Sequence, residues 1–96
     1  MSVRIDAVEK FHEYERLAAT VMTRHGGRIE RTVVIPPIPG EGILKEVHIV
    51  LFPGESAYQA YRADDEFAAA AHLREESVVA TEILIGHDGP AYHDGK

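Results

Sequence analysis

Three polar side chains stand out in stretches of this chain rich in apolar or β-branched residues: Arg31 within residues 28–35, which also carry Arg28 and Glu30, His48 within 47–52 and Glu82 within 78–85. A neutral imidazole set into an apolar strand can act as a general base near pH 7. The competing reading of His48 is a structural histidine held by hydrogen bonds. Arginine and glutamate are seldom buried without a partner. Arg31 and Glu82 are therefore expected either to pair with one another across two subunits or to line a pocket. Tyr14, Tyr58 and Tyr61 fall in helical stretches; their hydroxyls could orient a ligand, or their rings could simply pack.

Other constellations point away from chemistry. Asp64 reads as a helix cap, and Arg62 and Arg74 as solvated charges. His72 and Glu76 share a helix face, and His87 and Asp88 lie close to His93 and Asp94 in the tail. Neither set has the His-Glu-x-x-His spacing of a zinc site, so no metal is expected. Ser2, Ser56 and Ser77 open elements and sit in no nucleophile elbow. Gly40-Glu41-Gly42 has no helix after it to cradle a phosphate.

The elements that must position these residues follow from periodicity. Val3 and Ile5 alternate with Arg4 and Asp6, a short first strand. Over residues 7–25, Val8, Phe11, Tyr14, Ala18, Val21 and Met22 recur at helical steps, with Asp6 the expected cap and Gly26-Gly27 the stop. Residues 28–35 are rich in β-branched side chains and end at Pro36-Pro37. A long irregular connection is expected over 36–46, then a strand over 47–52 closed by Pro53-Gly54. Residues 55–76 read as an interrupted helix with Ala57, Ala60, Tyr61, Phe67, Ala70, Ala71 and Leu73 facing inward, and 78–85 as a final strand. The domain spans 1–86, and 87–96 forms a polar tail anchored by Tyr92. The order strand, helix, strand, strand, helix, strand predicts an α+β fold of the ferredoxin-like βαββαβ type: a four-stranded antiparallel sheet with two helices on one face.

Composition narrows the function classes. The 96 residues carry 45% hydrophobic and 27% charged side chains and a formal charge of −6. Such a balance suits one globular domain, and an acidic chain with no basic stripe is a poor nucleic-acid partner. Cysteine is absent, which removes disulfides, thiolate nucleophiles and thiolate metal ligands. No stretch approaches the roughly 20 apolar residues of a membrane span, and the opening residues lack the apolar run of a signal peptide. The expectation is a cytoplasmic protein with no membrane partner.

The strands are apolar on both faces. Val47, Ile49 and Leu51 oppose His48, Val50 and Phe52, and Val79, Ile83 and Ile85 oppose Val78, Ala80 and Leu84. Two helices cover one face, and no residues remain for a third layer. The other face would expose an apolar patch of the size that marks an interface. A second copy of the sheet is the expected cover, giving a homodimer.

Helix-Gly-Gly-strand followed by strand-Phe-Pro-helix resembles the dimeric α/β-barrel superfamily, and within it a group of small bacterial proteins of unassigned function. The likeness rests on Arg24-His25-Gly26-Gly27-Arg28, on Val50-Leu51-Phe52-Pro53, on residues 57–67 (Ala-Tyr-Gln-Ala-Tyr-Arg-Ala-Asp-Asp-Glu-Phe) and on Leu73-Arg74. The resemblance implies two sheets closing a shared barrel. It also implies cofactor-independent oxygenase, cyclase or isomerase chemistry on small apolar aromatic or polyketide-like molecules, although some superfamily members bind haem. Taken with the residues themselves, His48 is the candidate acid–base residue and Arg31, Tyr58, Tyr61 and Glu82 are candidate substrate contacts, and the missing motifs imply no cofactor. The alternative is a non-catalytic small-molecule-binding or accessory dimer.

Overall fold

Apolar side chains at three- and four-residue steps wind residues 8–24 into the longest helix of the protein. The computed structural model describes residues 1–90, so Tyr92, His93 and Asp94 lie outside the described residues. Its elements are β1 (Ser2–Arg4), α1 (Val8–Arg24), β2 (Arg28–Ile35), β3 (Ile43–Leu51), α2 (Glu55–Arg62), α3 (Asp65–Ala69), α4 (Ala71–Ser77) and β4 (Val78–Ala80). In α1 the buried residues are Phe11, Tyr14, Ala18, Val21 and Met22, the expected stripe.

The start of α1 differs from expectation. Asp6 falls inside a 3-10 turn over Ile5–Ala7, Ala7 is the cap residue, and no side chain caps the helix. At the other end Gly26 turns the chain at φ 78°. Gly27 is not left-handed; it is needed for closeness. A Cβ there would lie 2.5 Å from the Phe52 ring and 2.7 Å from the Met22 side chain.

The strands form one antiparallel sheet in the order β2-β3-β1-β4, which puts β2 and β4 at the edges. Three boundaries depart from the sequence reading. β3 begins at Ile43, not Val47, because Ile43, Leu44 and Lys45 pair with Arg4, Val3 and Ser2 of β1. The irregular connection is accordingly shorter. β4 stops at Ala80 instead of running to Ile85, since the three-residue β1 offers residues 81–85 no further partner. The stretch after Pro53 forms three short helices, broken at Ala63-Asp64 and at Ala70. Asp64 does cap α3: its Oδ1 accepts from the Glu66 amide at 2.9 Å.

The molecule is a slab of 41 × 40 × 17 Å, the thickness of one helix layer on one sheet. Its core is correspondingly small. Tyr14 packs with Ala70 and Leu73, and Val21 and Met22 pack with Tyr61. Ala60 and Ala71, expected to face inward, are exposed. Among the described residues no helix is long and apolar enough to cross a membrane.

Candidate functional site

Side chains alternate across a strand, so the register of β3 decides what lies beneath the helices. Leu44, Glu46, His48 and Val50 point to the helix layer, and Lys45, Val47 and Ile49 point to the open face. Glu46 and His48 thus become neighbours two residues apart on the covered side. Helix α1 brings Glu15 down onto the same spot, four residues beyond the buried Phe11.

The three groups meet closely. His48 Nε2 lies 2.7 Å from Glu46 Oε1, and His48 Nδ1 lies 3.2 Å from Glu15 Oε2. Their side chains are 14% (His48), 10% (Glu46) and 16% (Glu15) exposed. The backbone of Glu46 is fixed as well, its amide donating to the Met1 carbonyl at 2.9 Å. Burial pushes the Glu15 carboxyl above its ordinary value, the His48 imidazole opposes that rise, and Glu46 adds to it.

This arrangement has a simple proton logic. A neutral imidazole has one N–H and can donate to only one carboxylate. The second contact needs one more proton, carried either by the ring or by a carboxyl group. Burial favours the neutral acid at Glu15; a proton held between Glu15 Oε2 and His48 Nδ1 would satisfy that contact and leave an Nε2–H to donate to Glu46. Glu46 and Glu15 thus hold the ring from its two nitrogens.

On β2, Thr32 and Val34 pair with His48 and Glu46 and are both exposed. They form a ledge along the rim of the cluster that no helix covers. The depressions of about 600 and 570 Å³ lie elsewhere, the first lined by Arg4, Ile5 and Val79 and the second by Arg4, Val8 and Glu76.

The other candidate residues are not gathered at this point. Tyr58 and Tyr61 join Phe52 and Phe67 in a ring cluster, with the Tyr61 and Phe67 centroids 4.5 Å apart. Burial holds the Tyr61 phenol well above its usual range, with smaller contributions from Tyr14 and Glu15. The Tyr58 hydroxyl accepts from Arg62 at 3.2 Å. Arg74 donates to the Thr81 hydroxyl at 2.6 Å. Arg31 lies on the open face opposite Ile49, at the β2 edge. Glu82, expected within the last strand, lies beyond the end of β4, exposed and at the opposite edge of the sheet. Within one chain, then, Arg31 and Glu82 cannot share a pocket. His72 bonds the Ala69 carbonyl and Glu76 pairs with Lys10. Among the described residues no three His, Asp or Glu side chains are placed to hold a metal ion.

Glu15 and Glu46 are the members of this cluster that sequence reasoning missed. The signal for Glu15 was its place on the Phe11–Ala18–Met22 side of the helix. The signal for Glu46 was its i, i+2 relation to His48, hidden as long as residues 43–46 were read as a loop.

Compared with known proteins, residues 1–87 match the family described as Domain of unknown function (DUF1330). No curated protein and no solved structure matches the chain.

Proposed function

The chain belongs to the DUF1330 family, and we propose that it works as a homodimer of ferredoxin-like domains, joined through their open sheet faces into an α/β barrel, in which the Glu15–His48–Glu46 array moves a proton on a small apolar molecule. One observation carries the reading: an imidazole clamped by two carboxylates, one of them raised by burial toward the neutral form. Without the extra proton the Glu15 carboxylate faces the bare Nδ1 lone pair, and taking up a proton relieves that repulsion, so such a unit is suited to accept one. The substrate lies on the Thr32–Val34 ledge. An aromatic or polyketide-like compound is the class that the superfamily resemblance implies, and proton abstraction next to a carbonyl is the step common to cyclase, isomerase and cofactor-independent oxygenase chemistry.

The test is proton exchange. Wild-type protein in D₂O should speed deuterium incorporation next to the carbonyl of some members of a panel of aromatic and polyketide-like ketones. His48→Gln should lose that acceleration by about 10²-fold or more, the usual scale of general acid–base catalysis. If the wild type accelerates no member of the panel, or H48Q matches it, proton transfer is the wrong function.

A second reading has its own observation. Both imidazole nitrogens are already engaged within the chain, which suits a dimer that binds an apolar molecule without transforming it. Saturable binding of panel compounds with no exchange would select this reading.

A further inference from the structure

Asp6 is left without a structural task. The sequence marks it as the cap of α1, yet no side chain caps that helix, and Asp6 falls in the 3-10 turn over Ile5–Ala7 that follows β1. Arg4, the last residue of β1, is as lightly held. Its guanidinium makes one long hydrogen bond among the described residues, Nη1 donating to the Glu76 carbonyl at 3.4 Å. Among the described residues neither Arg4 nor Asp6 forms an ion pair, with each other or with a third side chain. Both line the two surface depressions of about 600 and 570 Å³, which also share Ile5 and so adjoin at this turn. Volumes of that order fall within the roughly 300–1,000 Å³ of small-molecule sites.

The two depressions differ in character. The first adds Gly42, Ile43 and Val79. Ile5 is 40% and Val79 49% exposed, and a Cβ on Gly42 would meet nothing within 4 Å, so this part is an open apolar hollow. The second adds Glu9, Lys10 and Glu76. Lys10 and Glu76 lie 3.5 Å apart and offset one another, which leaves Glu9 beside Asp6 as negative charge without an ion pair among the described residues. The backbone between the two parts is held in place. Arg4 pairs with Ile43 in the sheet, and the Ile5 amide donates to the Gly42 carbonyl at 3.0 Å.

From this arrangement we infer that the cleft binds a free α-amino acid with an apolar side chain. Arg4 takes the α-carboxylate, Asp6 and Glu9 take the α-ammonium, and the side chain lies in the hollow of Ile5, Ile43 and Val79. An acid lacking the ammonium would meet Asp6 and Glu9 as like charges, and an amine lacking the carboxylate would meet Arg4 in the same way. The site is separate from the proton-transfer cluster. Ile43 stands five residues before His48 on β3, about 17 Å along the strand, and amino-acid binding here stands whether or not His48 moves a proton.

Amide NMR of the full chain titrated with L-leucine tests this. Saturable shifts are expected at Arg4, Ile5, Gly42, Ile43 and Val79. Glycine, which has no side chain to bury, should bind about tenfold more weakly. The deaminated acid 4-methylpentanoate and the decarboxylated 3-methylbutylamine should each bind about fivefold more weakly, the scale of one exposed ion pair. Arg4→Gln should cost leucine about the same factor without weakening the amine, and Asp6→Asn without weakening the acid. Both side chains are exposed, so the variants should keep the wild-type spectrum away from the cleft. The four-probe comparison uses wild-type protein alone and decides the matter even where a variant does not fold. Leucine that produces no saturable shift, or shifts only residues elsewhere, would overturn the site. So would equal affinities for all four probes, or a leucine affinity that either folded variant leaves unchanged.

Discussion

In the middle of β3 the two faces of the sheet reverse the usual assignment of polar and apolar residues. Beneath the helices β3 places Glu46 and His48; on the uncovered side it places Val47 and Ile49, each nearly half exposed, with Val33 and Ile35 of β2 beside them. A strand that packed only against its own helices would be expected to do the opposite, with apolar residues in and polar residues out. The reversal separates two tasks. The covered face holds a polar cluster whose members satisfy one another, which is the condition for burying charge at tolerable cost. The open face holds apolar area that the described residues leave in water, the area that the proposed dimer would cover.

The hardest way to break this comparison is to charge the open face. Ile49→Asp should abolish the dimer, raising its dissociation constant by about 10²-fold or more, because an unpaired carboxylate would be buried in an apolar interface. In the monomer the same change is a surface substitution and should stay within about 0.5 kcal/mol. Sedimentation of the variant beside urea unfolding of the dilute protein separates the two effects. An unaltered dimer would mean that the open face is not the interface.

The covered face should respond in the contrary manner. His48→Leu leaves Glu15 and Glu46 facing one another without the imidazole between them. Breaking a buried ionic cluster by removing one partner costs about 3–5 kcal/mol, and the partial exposure of these groups places the expected loss near 3 kcal/mol at pH 7. The sign of the pH dependence follows from Glu15, whose carboxyl burial already raises above its ordinary value. The folded variant takes up protons more readily than the unfolded chain, so its deficit shrinks as pH falls from 7 toward 5. A deficit that is constant over that range, measured by urea unfolding, would mean that the two carboxylates do not interact once the ring is gone. The dimer constant should be unchanged, the reverse of Ile49→Asp.

How much of this was legible in the sequence depends on whether the evidence is local. The stripe of α1, the Gly26 stop and the Asp64 cap are decided by residues within a few positions of one another, and all three are read off the chain. His48 stood out because a polar residue in an apolar strand is visible by type. The limits of β3 and β4 are set by β1, a partner far away in sequence and only three residues long. The apolar, β-branched run over 81–85 says strand, yet no strand among the described residues lies beside it. The start of β3 at Ile43 was masked by the glycines before it. With that boundary wrong, Glu46 could not be assigned a face, and a cluster that depends on two faces meeting lost two of its three members. Arg31 and Glu82 stand out in the sequence by type, but their placement at opposite edges is a property of strand order.

The smallest effect sharpens the comparison from within the helix layer. Asp64 caps α3, lies 2.8 Å from His25 Nε2 at the end of α1, and stands 4.0 Å from Arg24, which also pairs with Glu66. The hydrogen bond to His25 holds the Asp64 carboxyl below its ordinary value, helped by the Glu66 amide. A carboxyl lowered in the folded state contributes stability above its unfolded pKa, about 3.9, and loses it as pH falls through the folded value. Asp64→Asn keeps a competent cap and removes only the charge. The variant should therefore unfold at lower urea than wild type at pH 7, and the two curves should converge as pH drops below about 4. Parallel curves would assign Asp64 to capping alone. Because this seam joins α1 to α3 and touches neither the His48 cluster nor the open face, D64N should leave both proton exchange and dimer affinity as they are. A change in either would mean that the helix layer, and not the register of β3, decides how the two faces divide their work.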